Sequence, residues 1–247
     1  MLRILICGIN GRMGNAIYES SIKSGHSVLC GVDLVTVGKT ECPVYKSIDE
    51  VKDLIDVIID FSSPSAIYEI LDYSKRNSIP LVIGTTGFSY EQEQAINSHS
   101  FFVPVFKSSN TSPGISLILK VCETLASSLK GYDVEIVEKH HSNKKDSPSG
   151  TAKLIFDRIN ASQNENYAPI YGRKGKTSRK KQEIGIHSIR GGSTVGEHEI
   201  YFFGENETIS IKHVAHSKEL FSQGVINACE FIVKKKNGLY STDDIIF

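Results

Sequence analysis

The sequence predicts an α/β fold: a doubly wound parallel sheet, followed by a smaller α+β region with a mixed, largely antiparallel sheet. Short apolar runs rich in Val and Ile alternate with helical patterns through residue 107. That rhythm belongs to a parallel sheet covered on both faces by crossover helices. After Pro113 the order changes, and three later strand-like runs have no helices between them. At 247 residues the chain can build one large domain or two modest ones.

The elements follow in order. "LRILIC" (2–7) predicts the first strand, and an amphipathic stretch from Arg12 to Lys23 the first helix. "SVLCGVD" (27–33), "DVIIDF" (56–61), "PLVIGTT" (80–86) and "FFVPVFK" (101–107) continue the sheet. The helices between them carry start signals. Ser47 with Glu50 and Ser89 with Gln92 have capping-box spacing, and Pro64 behind Ser63 suits a first helical turn. A long helix is expected over 115–129, a strand over 133–140 and a helix opening near Ser149. "EIGIHSIR", "HEIYFFG" and "TISIKHVAH" read as neighbouring, largely antiparallel strands. The polar, basic stretch 160–182 reads as a long loop with a solvated charge run. Residues 218–240 have helical periodicity, a lysine-rich last turn and Asn237-Gly238 as a stop.

Charge narrows the function. Lys plus Arg and Asp plus Glu both number 28, so no overall field points to nucleic acid or an anionic membrane as partner. The five cysteines, at 7, 30, 42, 122 and 229, have no CxxC spacing and fit neither a disulfide framework nor a zinc knuckle. A reducing cytoplasm is the expected setting. "MLRILICGINGRMG" has no small-residue cleavage site, and no apolar run approaches membrane-spanning length.

A first site is expected at "ICGINGRMGNAI", where Gly8, Gly11 and Gly14 follow the first strand and open the first helix. Glycine permits the tight turn and lets backbone N–H groups approach a pyrophosphate, while the helix dipole favours the negative charge. The pattern is GxxGxxG, and Asn10, which tolerates left-handed backbone, fills the second fingerprint position. Asp33 ends the next strand 19 residues beyond Gly14, where a carboxylate suits the adenine ribose hydroxyls. Leu34 after it leans toward NADH, and Arg12 in the glycine loop toward a 2′-phosphate, so the choice of NADH or NADPH stays open. "DFSSPSA" (60–66) and "GTTG" (84–87) fall at carboxyl ends of strands, the edge where such sheets bind ligands.

A second site is expected at "VEIVEKHHSNKKDSPSGTAKL" (134–154). Ser149, Gly150 and Thr151 stand where a helix begins, so their N–H groups and hydroxyls suit a carboxylate or phosphate. An ordinary N-cap is the competing explanation for "SPSGT" alone. His140 and His141 end a strand, where consecutive side chains point to opposite faces. Lys139, Lys144 and Lys145 would repel a cation, so an anionic substrate is favoured over a metal.

This stretch closely resembles the signature E-x-H-H-x-x-K-x-D-x-P-S-G-T-A of the 4-hydroxy-tetrahydrodipicolinate reductase family. "GxxGRMG", "DFS", "GTTG", "RGGSTVGEH" (190–198) and "GLYSTDDII" extend the resemblance along the chain. It implies a Rossmann-like domain over 1–111 and 217–247 and a substrate-binding and oligomerisation domain over 112–216. It also implies reduction of a small dicarboxylate by NADH or NADPH in lysine and diaminopimelate biosynthesis, in a cytoplasmic homotetramer. By motif position, His140 and Lys144 resemble the catalytic pair, and His141, Lys144, Ser149, Gly150 and Thr151 the substrate-binding residues. Gly8, Asn10, Gly11, Arg12, Met13, Gly14, Asp33, Phe61, Gly84, Thr85, Thr86, Ser109, Asn110 and Arg190 are the expected cofactor-binding residues, and no metal is expected. The chain departs from the family at Thr111, where an aromatic or bulky residue is usual, with Pro113 following Ser112. This departure bears on cofactor affinity. "SN" ahead of Lys144 carries less positive charge than basic residues there would. Two rivals remain: an aspartate- or homoserine-type dehydrogenase, which would not require "HHSNKKDSPSGT", and a non-catalytic dinucleotide sensor.

Overall fold

The computed structural model describes residues 1–38, 40–163 and 166–246. The chain forms two compact units, Met1–Pro113 with Glu219–Phe247, and Gly114–Lys218. The first half supplies strands β1 (Arg3–Cys7), β2 (Ser27–Val32), β3 (Val44–Tyr45), β4 (Val57–Asp60), β5 (Leu81–Ile83) and β6 (Pro104–Lys107). Helices α1 (Arg12–Lys23), α2 (Ile67–Asn77) and α3 (Tyr90–His99) alternate with them. Next come α4 (Pro113–Ser128), β7 (Asp133–His140), α5 (Gly150–Ser162), β8 (Ala168–Tyr171), β9 (Glu183–Arg190), β10 (Gly196–Phe203) and β11 (Thr208–Ala215). The chain closes with α6 (Glu219–Ile232), β12 (Gly238–Tyr240) and α7 (Asp243–Ile246).

In the first unit seven strands form one sheet in the order β12-β6-β5-β4-β1-β2-β3, parallel throughout. Alternate residues feed opposite layers, as strand geometry requires. Leu5, Ile58, Leu81 and Val105 pack toward Ile70 and Leu71 of α2 and Ile96 of α3. Ile4, Ile6, Val57 and Val82 pack toward Ile17 of α1 and Val225, Ile226 and Cys229 of α6. Strand order reverses between β1 and β4, which makes the crevice beyond their carboxyl ends the natural ligand position.

Helix α6 returns the chain to this unit. Ser20 and Ser222 hydroxyls meet at 2.7 Å, and Thr111 Oγ1 donates to the Phe221 carbonyl at 2.7 Å. A Cβ on Gly224 would lie 1.8 Å from the Thr111 carbonyl oxygen, so glycine permits this approach. Thr111, 6 % exposed, thus serves the docking of α6.

The second unit holds a mixed sheet in the order β11-β10-β7-β9-β8. The β10–β11 and β10–β7 pairs are antiparallel, and the β7–β9 and β8–β9 pairs parallel. Val134, Ile136, Ile184, Ile186, Ile200 and Phe202 face Ile118, Leu119 and Cys122 of α4 and Ile155 and Ile159 of α5.

Several expectations are corrected. The three late runs are not all neighbours: β10 and β11 pair, but β7 lies between β10 and β9. The chain leaves β7 through α5 to β8, then returns over 172–182 so that β9 enters between β8 and β7 and parallel to both, and runs lacking helices between them do not reveal it. The stretch 160–182 is not all loop. It begins in the last turns of α5 and contains β8, while positions 164 and 165 lie outside the described residues. Ser47 and Glu50 form their capping box on a 3-10 turn, Ile48–Glu50, whereas Ser89 and Gln92 cap an α-helix. Strands β3 and β12 were not anticipated. Both are edge strands of two or three residues whose pairing partners, not their own sequence, make them strands. The lysines at 234–236 lie beyond the end of α6.

Candidate active site

The glycine loop in the first unit is shaped by close backbone approach. Gly8 adopts a φ of 80°, and a Cβ there would sit 2.4 Å from the Phe61 carbonyl oxygen. A Cβ on Gly14 would sit 2.1 Å from the Gly8 carbonyl oxygen. Gly11 is the N-cap of α1 and provides no side-chain cap, so the helix start presents backbone N–H groups alone. Loop and helix therefore fit a pyrophosphate on steric and electrostatic grounds.

Asp33 does more than end β2. Its Oδ2 accepts the Asn10 backbone N–H at 2.9 Å, and Asn10 Nδ2 donates to the Val35 carbonyl at 2.5 Å. The residue in place of the second fingerprint glycine thereby ties the glycine loop to the segment after β2. A cavity of about 600 Å³ is lined by Gly8, Asn10, Gly11, Asp33, Val35 and Phe61.

At the end of β4, Asp60 is fully buried. Its Oδ1 accepts from the Ser62 N–H at 3.1 Å and the Ser62 hydroxyl at 2.5 Å. Burial raises its pKa above the ordinary aspartate value. Phe61 lies over Gly84, where a Cβ would come within 2.0 Å of the ring. Thr85, Thr86 and Ser109 line a separate cavity of about 460 Å³, together with Lys107, Tyr240 and Ser241. The remaining expected cofactor residues divide by role. Arg12 is exposed, the Met13 side chain packs against the core, and Asn110 Oδ1 accepts the Ser112 N–H at 2.9 Å ahead of α4.

In the second unit, register assembles the other site. On β7, Val134, Ile136 and Glu138 form the buried row, and His140 continues it at the strand end. His140 lies opposite Arg190 of β9, and Glu138 opposite His198 of β10. Glu138 is completely buried and fully engaged. Its Oε2 contacts His140 Nδ1 at 2.5 Å and accepts from Arg190 Nη1 at 2.8 Å. Its Oε1 accepts from Arg190 Nη2 at 2.7 Å and from the Ser149 N–H at 3.1 Å. Burial pushes this carboxyl up, but the bonds from His140 and Arg190 outweigh it and hold the pKa well below the ordinary glutamate range.

Ser149, 2 % exposed, is the N-cap of α5. Its Oγ accepts from the Ala152 N–H at 3.2 Å and lies 3.1 Å from His198 Nε2. Burial, then the nearby His140, push His198 down to about 3, so its imidazole is neutral near pH 7. The rings of His140 and His198 meet edge to face at 5.3 Å. Lys144 Nζ rests 2.8 Å from Asp146 Oδ1, while its N–H donates to the His141 carbonyl at 3.1 Å. His141 follows the strand and is half-buried, and Gly150 is exposed as the first residue of α5.

The structure thus brings His140, Ser149 and Arg190 into one hydrogen-bonded cluster, joined through Glu138. The sequence reading gave no role to Glu138 or His198. Strand period two would have flagged both: each is polar in an otherwise apolar buried row, Val134-Ile136-Glu138 and Gly196-His198-Ile200-Phe202. Among the described residues no group of three or more His, Cys, Asp or Glu is placed to hold a metal ion.

A parallel sheet with a glycine-lined switch point, in a chain whose other unit is a mixed sheet bearing a Glu-His-Arg-Ser cluster, defines a two-domain oxidoreductase of the dinucleotide-dependent class. Comparison with known proteins narrows this. The family model of the dihydrodipicolinate reductase N-terminus matches residues 2–111, and that of its C-terminus residues 114–246. A 4-hydroxy-tetrahydrodipicolinate reductase of Clostridium novyi (strain NT) is 44% identical across 100% of this chain and 98% of its own. A protein of the same name from Caldanaerobacter subterraneus subsp. tengcongensis is 43% identical, with the same coverage. The dipicolinate-bound dihydrodipicolinate reductase of Paenisporosarcina sp. TG-14 shares the fold, with a TM-score of 0.80 at 24% identity over 98% of this chain and 97% of that one. A myo-inositol dehydrogenase from Corynebacterium glutamicum ATCC 13032 shares it more distantly, with a TM-score of 0.62 at 13% identity over 96% of this chain and 90% of that one. The chain belongs to the dihydrodipicolinate reductase family.

Proposed function

We propose that the protein reduces 4-hydroxy-2,3,4,5-tetrahydrodipicolinate to 2,3,4,5-tetrahydrodipicolinate with NADH or NADPH, releasing water, in lysine and diaminopimelate biosynthesis. The observation that carries this reading is the cluster that joins His140, Arg190 and the Ser149 start of α5 through Glu138 at the carboxyl end of β7, with Lys144 in the loop that follows, in a chain that matches the family along its whole length. The glycine loop with Asp33 holds the dinucleotide, and Phe61, Gly84, Thr85, Thr86, Ser109 and Asn110 line its path. When bound, the cofactor supplies a hydride to the substrate ring.

The chain's own residues do the rest. Lys144 exchanges its contact with Asp146 for a substrate carboxylate and donates a proton to the carbon beside the one reduced. His141, Gly150 and Thr151 hold the carboxylates at the helix start, where N–H groups and dipole favour negative charge. Ser149 braces that helix start through its cap. Arg190, whose terminal nitrogens are spent on Glu138, contributes to cofactor binding through the segment it anchors.

The five unpaired thiols suit a reducing, cytoplasmic setting, and no described helix is long and apolar enough to cross a membrane. The sheet face opposite α4 and α5 suits assembly into a homotetramer. There Tyr201 stacks on Phe203 at 5.5 Å, while Ile189 and Phe203 remain 49% and 41% exposed. Phe203→Glu should reduce the assembly in sedimentation, and an unchanged assembly would remove this face from consideration.

The activity test is loss of the reduced nicotinamide band with freshly generated substrate, comparing NADH with NADPH. Lys144→Ala should lose turnover by about 100-fold or more while still binding cofactor. A wild type that binds cofactor but turns over with neither would favour the sensor.

A further inference from the structure

The polar groups around His140 are unequal in what they can donate and accept. From β7 comes Glu138, from β9 Arg190, from β10 His198, and from the loop before α5 Lys144 and Asp146. Of these only Glu138 is bonded to the imidazole, and its carboxylate can only accept. His140 Nδ1 must therefore carry hydrogen, which leaves the Nε2 lone pair as the ring's accepting site. Space around Nε2 is kept by Gly196, where a Cβ would approach it to 3.1 Å.

We propose that Glu138 is a positioning residue for the reaction: anchored by Arg190 and the Ser149 N–H, it fixes the His140 tautomer and ring orientation so that Nε2 is the working nitrogen. This rests on the reductase reading above. Arg190 and the Ser149 N–H have no accepting capacity, so the carboxylate cannot rotate away without losing both bonds from a half-buried guanidinium and leaving the Ser149 N–H without its acceptor.

The test substitution is Glu138→Gln. Its amide has one oxygen and one NH₂ group. The Oε1 site faces two fixed donors, Arg190 Nη2 and the Ser149 N–H, whereas the Oε2 site faces one, Arg190 Nη1, beside a His140 Nδ1 that can give up its hydrogen, so Oε1 takes the oxygen. The NH₂ then falls at the Oε2 site, against His140 Nδ1, and imposes the opposite tautomer with hydrogen on Nε2.

Nitrogen-15 chemical shifts of the His140 ring should show hydrogen on Nδ1 in wild type and on Nε2 in Glu138→Gln. The variant's kcat should fall about 100-fold or more, with KM nearly unchanged. Glu138→Asp, which keeps an accept-only carboxylate, should retain the wild-type tautomer and recover part of the rate. In a His140→Ala background Glu138→Gln should cost little more, because both changes remove one function.

Hydrogen on Nε2 in the wild type would overturn the proposal even if Glu138→Gln fails to fold. So would a folded Glu138→Gln with the wild-type tautomer or an unchanged kcat. Absence of turnover in wild type would defeat the reductase reading, while the ring shifts would still test the positioning by themselves.

Discussion

Acidification should destabilise the second unit through His198, and a His198→Gln variant should be spared that loss. The imidazole is 4 % exposed, and burial, followed by the neighbouring His140, lowers its pKa from 6.5 to about 3. A histidine depressed in the folded state contributes stability that is fully present above its unfolded value. That stability is lost as pH falls from about 6.5 toward about 3, because the unfolded chain takes up the proton first. Linkage gives a loss of about 2 kcal/mol at about pH 5 and about 3 kcal/mol at about pH 4, relative to about pH 8. Protonation is costly here because Nδ1 is buried without a partner and Nε2 already meets Ser149. A glutamine amide can keep the bond to Ser149 Oγ without titrating.

The assay is urea unfolding of both proteins across this range, followed by a probe in the second unit. Burial also lowers His99 and His213; His99 contributes equally to both proteins, and His213, which lies opposite His198 on β11, is replaced by glutamine in both so that the difference between the curves isolates His198. The difference should shrink by about 2 kcal/mol between about pH 8 and about pH 5. Parallel curves would refute the argument that this imidazole is held neutral by burial.

Two further outcomes follow from the geometry. Ser149→Ala removes the cap of α5 and the partner of His198. It should cost about 1–3 kcal/mol in denaturant unfolding and raise substrate KM while leaving cofactor affinity alone. Gly14→Ala should cost about 1–3 kcal/mol and weaken cofactor binding by fluorescence titration, since its Cβ would strike backbone. Gly25→Ala, at a φ of 79° with open space around it, should cost only about 1 kcal/mol and leave binding intact.

The sequence by itself determined the elements whose pattern is local. Helix α1 and strand β7 fall where hydrophobic periodicity placed them, because burial of one face imposes a period that can be read residue by residue. The glycine loop was legible for a related reason: Gly8 and Gly14 sit where backbone approaches backbone, and few residues tolerate that. The helix start at Ser149 was legible through its cap chemistry.

Only the tertiary structure decided which strands are neighbours and which polar groups meet. β9 pairs with β7 because the chain, after α5 and β8, turns back into the gap between β8 and β7, and that register alone sets Arg190 opposite His140. Thr111, notable in sequence for its small size, proves to hold α6 against the first unit, 110 positions along the chain. Glu138 shows the division most clearly. In sequence it is one acid in a charged stretch; in the fold it is a buried carboxylate with every bond supplied by its neighbours. A carboxylate becomes affordable in a core only where donors converge on it, and that convergence is a property of packing.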